Sequence, residues 1–274
     1  MPKLTVLTDN ATSDQRLSSQ HGLSLWLEAD SSRVLFDTGR DELFLENARV
    51  LGIPVSTPTH LVLSHGHYDH AGGVPALLEQ GSRPQVIVGP DAWARRRSSH
   101  PIGIPWPQEL LGDLPISVNH DSLRVEPGII AANVGGTRDA AARHPGLQRS
   151  VNGHWEPDTF PDEQILVMHT VEGLVVITGC THCGVDALIR CVRRTAGDTP
   201  VYAIIGGLHL GASPREGILD AAVQLRDIEH VWVNHCTGTT AYSILCETLG
   251  PRVEWAGAGF QATLPPMDLR TDPC

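Results

Sequence analysis

No stretch of the chain approaches the roughly 18 consecutive apolar residues that a membrane-spanning helix requires. The opening "MPKLTVLTDN" reaches Asp9 after an apolar run too brief for the core of a signal peptide. Basic residues are scarce: 20 Lys and Arg against 31 Asp and Glu leave a net charge of −11, and no run of like charge exceeds Arg95, Arg96 and Arg97. Such a chain has no electrostatic footprint for nucleic acid or for an anionic membrane surface. Cysteine is sparse too. Cys180, Cys183, Cys191, Cys236, Cys246 and Cys274 lack the spacing of a disulfide framework, which suits a reducing compartment. Cys180 and Cys183 do form a C-x-x-C, but without a second pair it reads as chance spacing rather than as a zinc ribbon. These absences point to a cytoplasmic enzyme or binding protein whose partner is a small molecule, not nucleic acid or membrane, and they leave the oligomeric state open.

What is present is a regular alternation of elements. Strand-like runs "LTVLT" (4–8), "GLSLWLEA" (22–29) and "RVLFDTG" (33–39) open the chain. "DELFLENARVLGI" (41–53) then has a helical repeat with acidic residues in its first turn and Gly52 as a stop. The apolar "HLVLS" (60–64) reads as a strand and "VPALLEQ" (74–80) as a helix. In the second half, "EGLVVITGC" (172–180), "VYAIIGG" (201–207) and "HVWVN" (230–234) are strands, and "VDALIRCVRRTAG" (185–197) and "REGILDAAVQLRDI" (215–228) are helices. At 274 residues this predicts one α/β domain spanning 1–274, an αββα sandwich of sheets covered by helices. Two irregular stretches, 95–120 and 135–164, are dense in Pro, Gly, His and Trp and read as ordered loops covering a substrate.

The chemistry is concentrated in "LVLSHGHYDHAGG" (61–73). His65, His67 and Asp69 alternate, so an extended backbone would aim them to one side, and His70 follows at once. Imidazole and carboxylate are ligands of zinc, iron and manganese, and four of them in six residues suit two adjacent ions. A closed site needs further ligands, and histidines do follow three other predicted strands: His182, His209 and His235.

The H-x-H-x-D-H of residues 65–70, preceded by "FDTG" with Asp37 and followed by these strand-end histidines, closely resembles the metallo-β-lactamase superfamily. "LFDTGRDELFLENARVLGI", "PDTFPDEQILVMHTVEGLVVITGCTHCGV", "IIGGLHL" and "HCTG" resemble its subgroup of metal-dependent hydrolases (β-lactamase superfamily II), related to dihydropterin-ribofuranosylaminobenzene phosphate synthase-like proteins. The resemblance implies an αββα fold and two divalent metal ions, zinc first, with manganese or iron as alternatives. It implies that His65 and His67 bind one ion, completed by His182, and that Asp69 and His70 bind the other, completed by His235. Many members place a bridging Asp where this sequence has Cys180. Either Cys180 is a thiolate ligand, or His182 takes the role while water bridges, or one ion alone is held tightly. His209 is read as a ligand, a proton donor or a substrate contact, and Asp37 as the carboxylate that orients a ligating histidine. Asp9 and Asn10 can line the pocket in the same way.

With two metals, a metal-bound hydroxide would attack an ester, lactone, amide or phosphoester bond of a small anionic metabolite, and Asp69 would orient it or take its proton. Arg138, Arg143 and His154 are candidate anchors for the anionic substrate, and Trp106 and Trp155 candidate stacking surfaces. Two other classes stay open: a transferase of the synthase type that releases diphosphate, and a non-hydrolytic ligand-binding or redox member.

Overall fold

The computed structural model describes residues 1–29 and 32–271, so Cys274 lies outside the described residues. Two seven-stranded sheets carry the architecture. The first runs, edge to edge, through strands Gln261–Thr263, Lys3–Thr8, Ser24–Ala29, Ser32–Phe36, His60–Val62, Gln85–Val88 and Ile116–Val118. The second runs through Val253–Trp255, His230–Val233, Val201–Gly206, Gly173–Ile177, Gln164–Thr170, Ile129–Asn133 and Ser122–Glu126. Each sheet is mixed. Ser32–Phe36 and His60–Val62 pair in parallel, as do Gly173–Ile177, Val201–Gly206 and His230–Val233, so these strands deliver their carboxyl ends to one edge.

The core explains the layering. Leu4, Val6, Leu25, Phe36 and Val62 of the first sheet meet Leu166, Met168, Val175, Ile177 and Ile205 of the second in one buried cluster. The outer face of the first sheet buries Leu35 and Leu61 against Phe44 and Ala48 of helix Leu43–Leu51 and against Val74 and Leu77 of helix Val74–Glu79. The outer face of the second buries Val167 and Val176 against helices Val185–Ala196, Arg215–Leu225 and Thr239–Leu249. Side chains alternate across a strand, so Gln164–Thr170, buried at every position, fills both clusters: Ile165 and Val167 go outward, Leu166 and Met168 inward. The chain is thus an α/β protein with the αββα layering. Among the described residues no helix is long and apolar enough to cross a membrane.

The stretches 95–120 and 135–164 depart from the expectation of irregular loops. They contain a separate three-stranded sheet, His154–Pro157, Gln148–Val151 and Arg96–Arg97, and a short helix Arg138–Arg143 capped by Thr137, whose Oγ1 accepts the Ala140 N–H at 3.0 Å. Short strands of two to four residues carry too little periodicity to be read from sequence.

Candidate metal centre

The strand ends that meet at one edge of the sandwich carry unusual backbone. Asp37, Thr181, His209 and His235, each just past a parallel strand, hold positive φ of 61°, 61°, 49° and 48°. Non-glycine residues avoid this region at a cost of order 1 kcal/mol each, so four together mark a place where side-chain direction outweighs backbone comfort.

In the opening cluster the extended backbone stops at His67 (φ −94°, ψ 151°), and Tyr68–Ala71 forms a helical turn. This corrects the expectation that His65, His67 and Asp69 share one side of a strand, because Asp69 and His70 project from the turn. Gly66, between the first two histidines, passes so close to the Ala92 carbonyl that a Cβ would lie 2.0 Å from its oxygen, which admits only glycine.

Two groups of donor atoms result. His65, His67 and His182 are buried together, with His65 Nε2 3.3 Å from His182 Nε2. Beside them His70 Nε2 lies 3.2 Å from His235 Nε2, with Asp69 Oδ2 3.4 Å from the latter. Cys180 Sγ, 3.1 Å from His70 Nε2, groups with His65 and His70 on one side and with His235 on the other.

Outer partners aim these rings. Asp37 Oδ2 accepts from His70 Nδ1 at 2.7 Å and from the Ser64 hydroxyl at 2.6 Å, while Ser64 Oγ lies 2.9 Å from His65 Nδ1. Asn10 Oδ1 lies 2.9 Å from His235 Nδ1, and Asp9 Oδ1 accepts the His235 N–H at 2.7 Å. With Nδ1 protonated in His65 and His235, Nε2 is left as the lone-pair face turned to the centre, and the same holds for His70 once its second proton has gone.

Two consecutive acidic residues, neither singled out in the sequence, hold the ligand loops. Asp162 Oδ2 accepts the Gly66 N–H at 2.6 Å, and its Oδ1 pairs with Arg96 Nη2 at 2.7 Å. The Glu163 carboxylate accepts the N–H groups of His182 at 2.5 Å and Cys183 at 2.8 Å. Burial pushes the Asp162 carboxyl up to about 6 even though Arg96 pulls it down, and burial raises Glu163 as well. Their signal lies in "FPDEQ" (160–164), but it is legible only once residues 66 and 182 are known to be neighbours.

The electrostatics divide the two groups. Desolvation pushes His65, His67 and His182 well below the usual imidazole range, so they stand neutral. Burial also pulls His70 down, but the Asp37 and Asp69 carboxylates outweigh it and hold the ring at about 9. Asp69 is penalised by burial, yet His70, His21 and His235 hold it well below the usual carboxylate range.

The donor set fits divalent metal. His67 Nε2 is buried with no hydrogen-bond partner among the described residues, a costly state for a polar atom without a ligand. Tetrahedral geometry with metal–nitrogen bonds of about 2.0–2.1 Å separates two nitrogens by about 3.3 Å. The two Nε2 pairs, at 3.3 and 3.2 Å, match that edge.

A cavity of about 570 Å³ opens beside His182 and His209, lined also by Arg143, His144, Leu208 and Gln224. His209 lies 4.2 Å, ring to ring, from His182, and its basicity is lowered by burial but raised overall by a hydrogen bond with Cys236. His144, missed in the sequence, packs 4.5 Å from the His209 ring, and burial together with His209 depresses it to about 4. His21, also missed, holds Asp69 Oδ2 at 3.0 Å. Arg143 lines the cavity while paired with Asp186 at 3.0 Å. Arg138 and His154 are exposed and do not line it. Trp106 is no stacking wall: it is buried, and its indole N–H donates to the Ala71 carbonyl at 2.7 Å, bracing the turn that carries Asp69 and His70. Trp155 packs instead under the Arg97 guanidinium, 4.2 Å from the ring centroid.

The sequence profile of the metallo-beta-lactamase superfamily matches residues 20–191. The chain is 28% identical to the 7,8-dihydropterin-6-methyl-4-(beta-D-ribofuranosyl)-aminobenzene-5'-phosphate synthase of Methanocaldococcus jannaschii, over 93% of this chain and 94% of that one. Its fold superposes on Tm1679, described as a metal-dependent hydrolase of the beta-lactamase superfamily, with a TM-score of 0.84 and 30% identity, covering 97% of this chain and 100% of that one. A diphosphatase of the PhnP family shares the fold at a TM-score of 0.57 and 13% identity, over 97% of this chain and 99% of that one.

Proposed function

Because the chain belongs to the metallo-β-lactamase superfamily, matching it over residues 20–191, we propose that it is a metal-dependent hydrolase of a small anionic metabolite, acting on an ester, lactone, amide or phosphoester bond. The observation that carries this reading is the convergence of imidazole Nε2 atoms into two adjacent groups beside a cavity large enough for a small metabolite. His65, His67 and His182 would hold one divalent ion, and Asp69, His70 and His235 the other, with Cys180 between them; zinc suits this imidazole-rich and thiol-bearing set. When bound, such ions supply Lewis acidity that activates water near neutral pH and polarises the bond to be cleaved.

The chain's own residues supply the rest. Asp69, ionised and held by His21, orients the attacking water and accepts its proton at Oδ2. His209, at the cavity edge with raised basicity, donates a proton to the leaving group. Arg143 faces the substrate's anionic group by exchanging its exposed Asp186 partner. Leu208 and Leu210 give the cavity an apolar wall that excludes water.

The test is a panel of esters, lactones and phosphodiesters assayed on metal-loaded protein. Turnover should vanish on chelation and return with zinc; undiminished activity of metal-free protein would sink the reading. A second reading, a transferase joining a phosphoribosyl donor to an aromatic acid with loss of diphosphate, is supported by the name of the Methanocaldococcus jannaschii relative. Release of diphosphate from paired substrates, with no hydrolysis anywhere in the panel, would favour it.

The two positions should also differ in their response to pH. His65, His67 and His182 are lowered in the folded protein, so protons do not compete for them until well below pH 6.5. His70, held at about 9, carries a proton at neutral pH that must leave before its Nε2 can coordinate. Affinity for the second ion should therefore rise by at least about tenfold per pH unit up to about pH 9, while that for the first stays flat above pH 6.5. Calorimetric zinc titrations at pH 6.5, 7.5 and 8.5 measure this, and equal pH slopes for the two ions would refute it.

A further inference from the structure

One thiol at this centre has no role in the reading above. Cys236 follows His235 at the end of strand His230–Val233, and its Sγ, the Cys180 Sγ and a ring nitrogen of His235 all lie within 4.8 Å of one another. Cys180 Sγ is in turn 3.1 Å from His70 Nε2, which is 3.2 Å from His235 Nε2. Two sulfurs and one nitrogen thus lie together, and His70 Nε2 touches two of those three donors. A tetrahedral zinc site with bonds of about 2.3 Å to sulfur and about 2.0–2.1 Å to nitrogen has edges of about 3.3 Å between nitrogens and about 3.8 Å between sulfurs. The Cys180, His235 and Cys236 donors, within 4.8 Å of one another, lie about an ångström or less from such edges, and the His70–His235 pair at 3.2 Å already has one.

The surroundings of Cys236 separate it from the other thiols. Cys183, Cys191 and Cys246 are given backbone carbonyl partners far from the centre: Cys183 Sγ lies 3.8 Å from Gly135 O, Cys191 Sγ 3.4 Å from Asn133 O and Cys246 Sγ 3.9 Å from Val253 O. Cys236 Sγ donates to the Cys180 carbonyl at 3.5 Å, a weak bond that a thiol gives up readily. The backbone opposite leaves space for it: a Cβ on Gly207 would lie 2.5 Å from the sulfur, so the thiol keeps this position only because residue 207 is glycine.

We propose that Cys236 is a metal ligand, and that with Cys180, His70 and His235 it forms a two-thiolate, two-imidazole position selective for soft divalent ions such as zinc or cadmium over manganese or magnesium; Cys180 and Cys236 then take the place given above to Asp69, whose carboxylate is left to the attacking water. This rests on the proposal that the centre holds metal. On binding, the two thiols release their protons to solvent and two metal–sulfur bonds form, with no change of oxidation state. Thiolate ligands favour zinc-class ions, whereas oxygen ligands favour manganese and magnesium.

X-ray absorption at the zinc edge of the full, zinc-loaded chain tests it by counting sulfur neighbours at about 2.3 Å. Protein with both positions filled should average one sulfur per zinc, and Cys236→Ser and Cys180→Ser should each halve that figure. Cys236→Ala serves as a second variant should the serine disturb folding, with thermal melting of the metal-free proteins as the check on structure. A wild-type count half as large, or a sulfur shell unchanged by Cys236→Ser, overturns the assignment. Zinc bound by nitrogen and oxygen alone would overturn it while leaving the hydrolase reading intact, and protein that takes up no zinc would end both.

Discussion

Replacing His67 with alanine is expected to empty the first metal position and to lower turnover of any accepted substrate by more than the about 10–100-fold that loss of an outer partner costs. The side chain is buried and its Nε2 has no hydrogen-bond partner among the described residues, so its deletion removes a donor from the centre and little from the fold. Its backbone stays bridged to Gly103. Metal analysis should fall from two equivalents to one or fewer, while the melting temperature of the metal-free variant stays near that of the metal-free parent. His70→Ala would be a poorer probe, because it also strands the buried Asp37 carboxylate that accepts from His70 at 2.7 Å. Full metal content and an unchanged rate in His67→Ala would exclude His67 as a ligand.

The largest effect on stability is expected at Arg96. Its guanidinium is wholly buried and pairs with Asp158 at 2.9 Å and Asp162 at 2.7 Å, while donating to the Ala92 carbonyl at 2.9 Å. Asp162 in turn holds the Gly66 N–H between His65 and His67. Removing one partner of a buried ion pair leaves the other charge uncompensated, at about 3–5 kcal/mol. Arg96→Met should therefore lower the urea midpoint by at least about 1 M and loosen the first metal position with it. The loss should depend on pH. The Asp162 carboxyl already stands at about 6, above its ordinary 3.8, and loses its cation in the variant, so its folded-state pKa climbs further. A carboxyl raised on folding binds more protons in the native than in the unfolded state, so its contribution falls as pH rises from 3.8 through the folded value. Arg96→Met should thus be less destabilised at pH 5 than at pH 8. Equal losses at the two pH values, or an unmoved midpoint, would show that the triad is not what fixes this loop.

Much of the molecule was legible locally. The run "VDALIRCVRRTAG" announced its helix through Leu188, Ile189 and Val192, and these residues do pack against the second sheet. The H-x-H-x-D-H spacing and the histidines behind apolar strands marked the centre, because a strand end is a fixed platform and imidazole placed there repeatedly has few other uses. Misreadings arose where a residue's role depends on a distant neighbour. Trp106 resembled a stacking surface until its indole was placed on the Ala71 carbonyl. Asp69 was set on a strand face because its alternation with His67 cannot reveal that the backbone turns at residue 68.

The roles of Asp162, Glu163, His21, His144 and Cys236 cannot be read from their own segments alone. Each acts across a gap in sequence: Asp162 on Gly66, 96 residues away, and Glu163 on His182, 19 residues away. Such partners are chosen by sheet order and register, which pattern and propensity do not encode.

By itself, then, the sequence determined the αββα layering and the donor types at the centre, since periodicity and side-chain chemistry are properties of short segments. Only the tertiary structure decided how those donors are shared between two positions, which carboxylates hold their loops and which rings are neutral. Those outcomes depend on burial and on contacts between parallel strand ends, which exist only once the two sheets have packed.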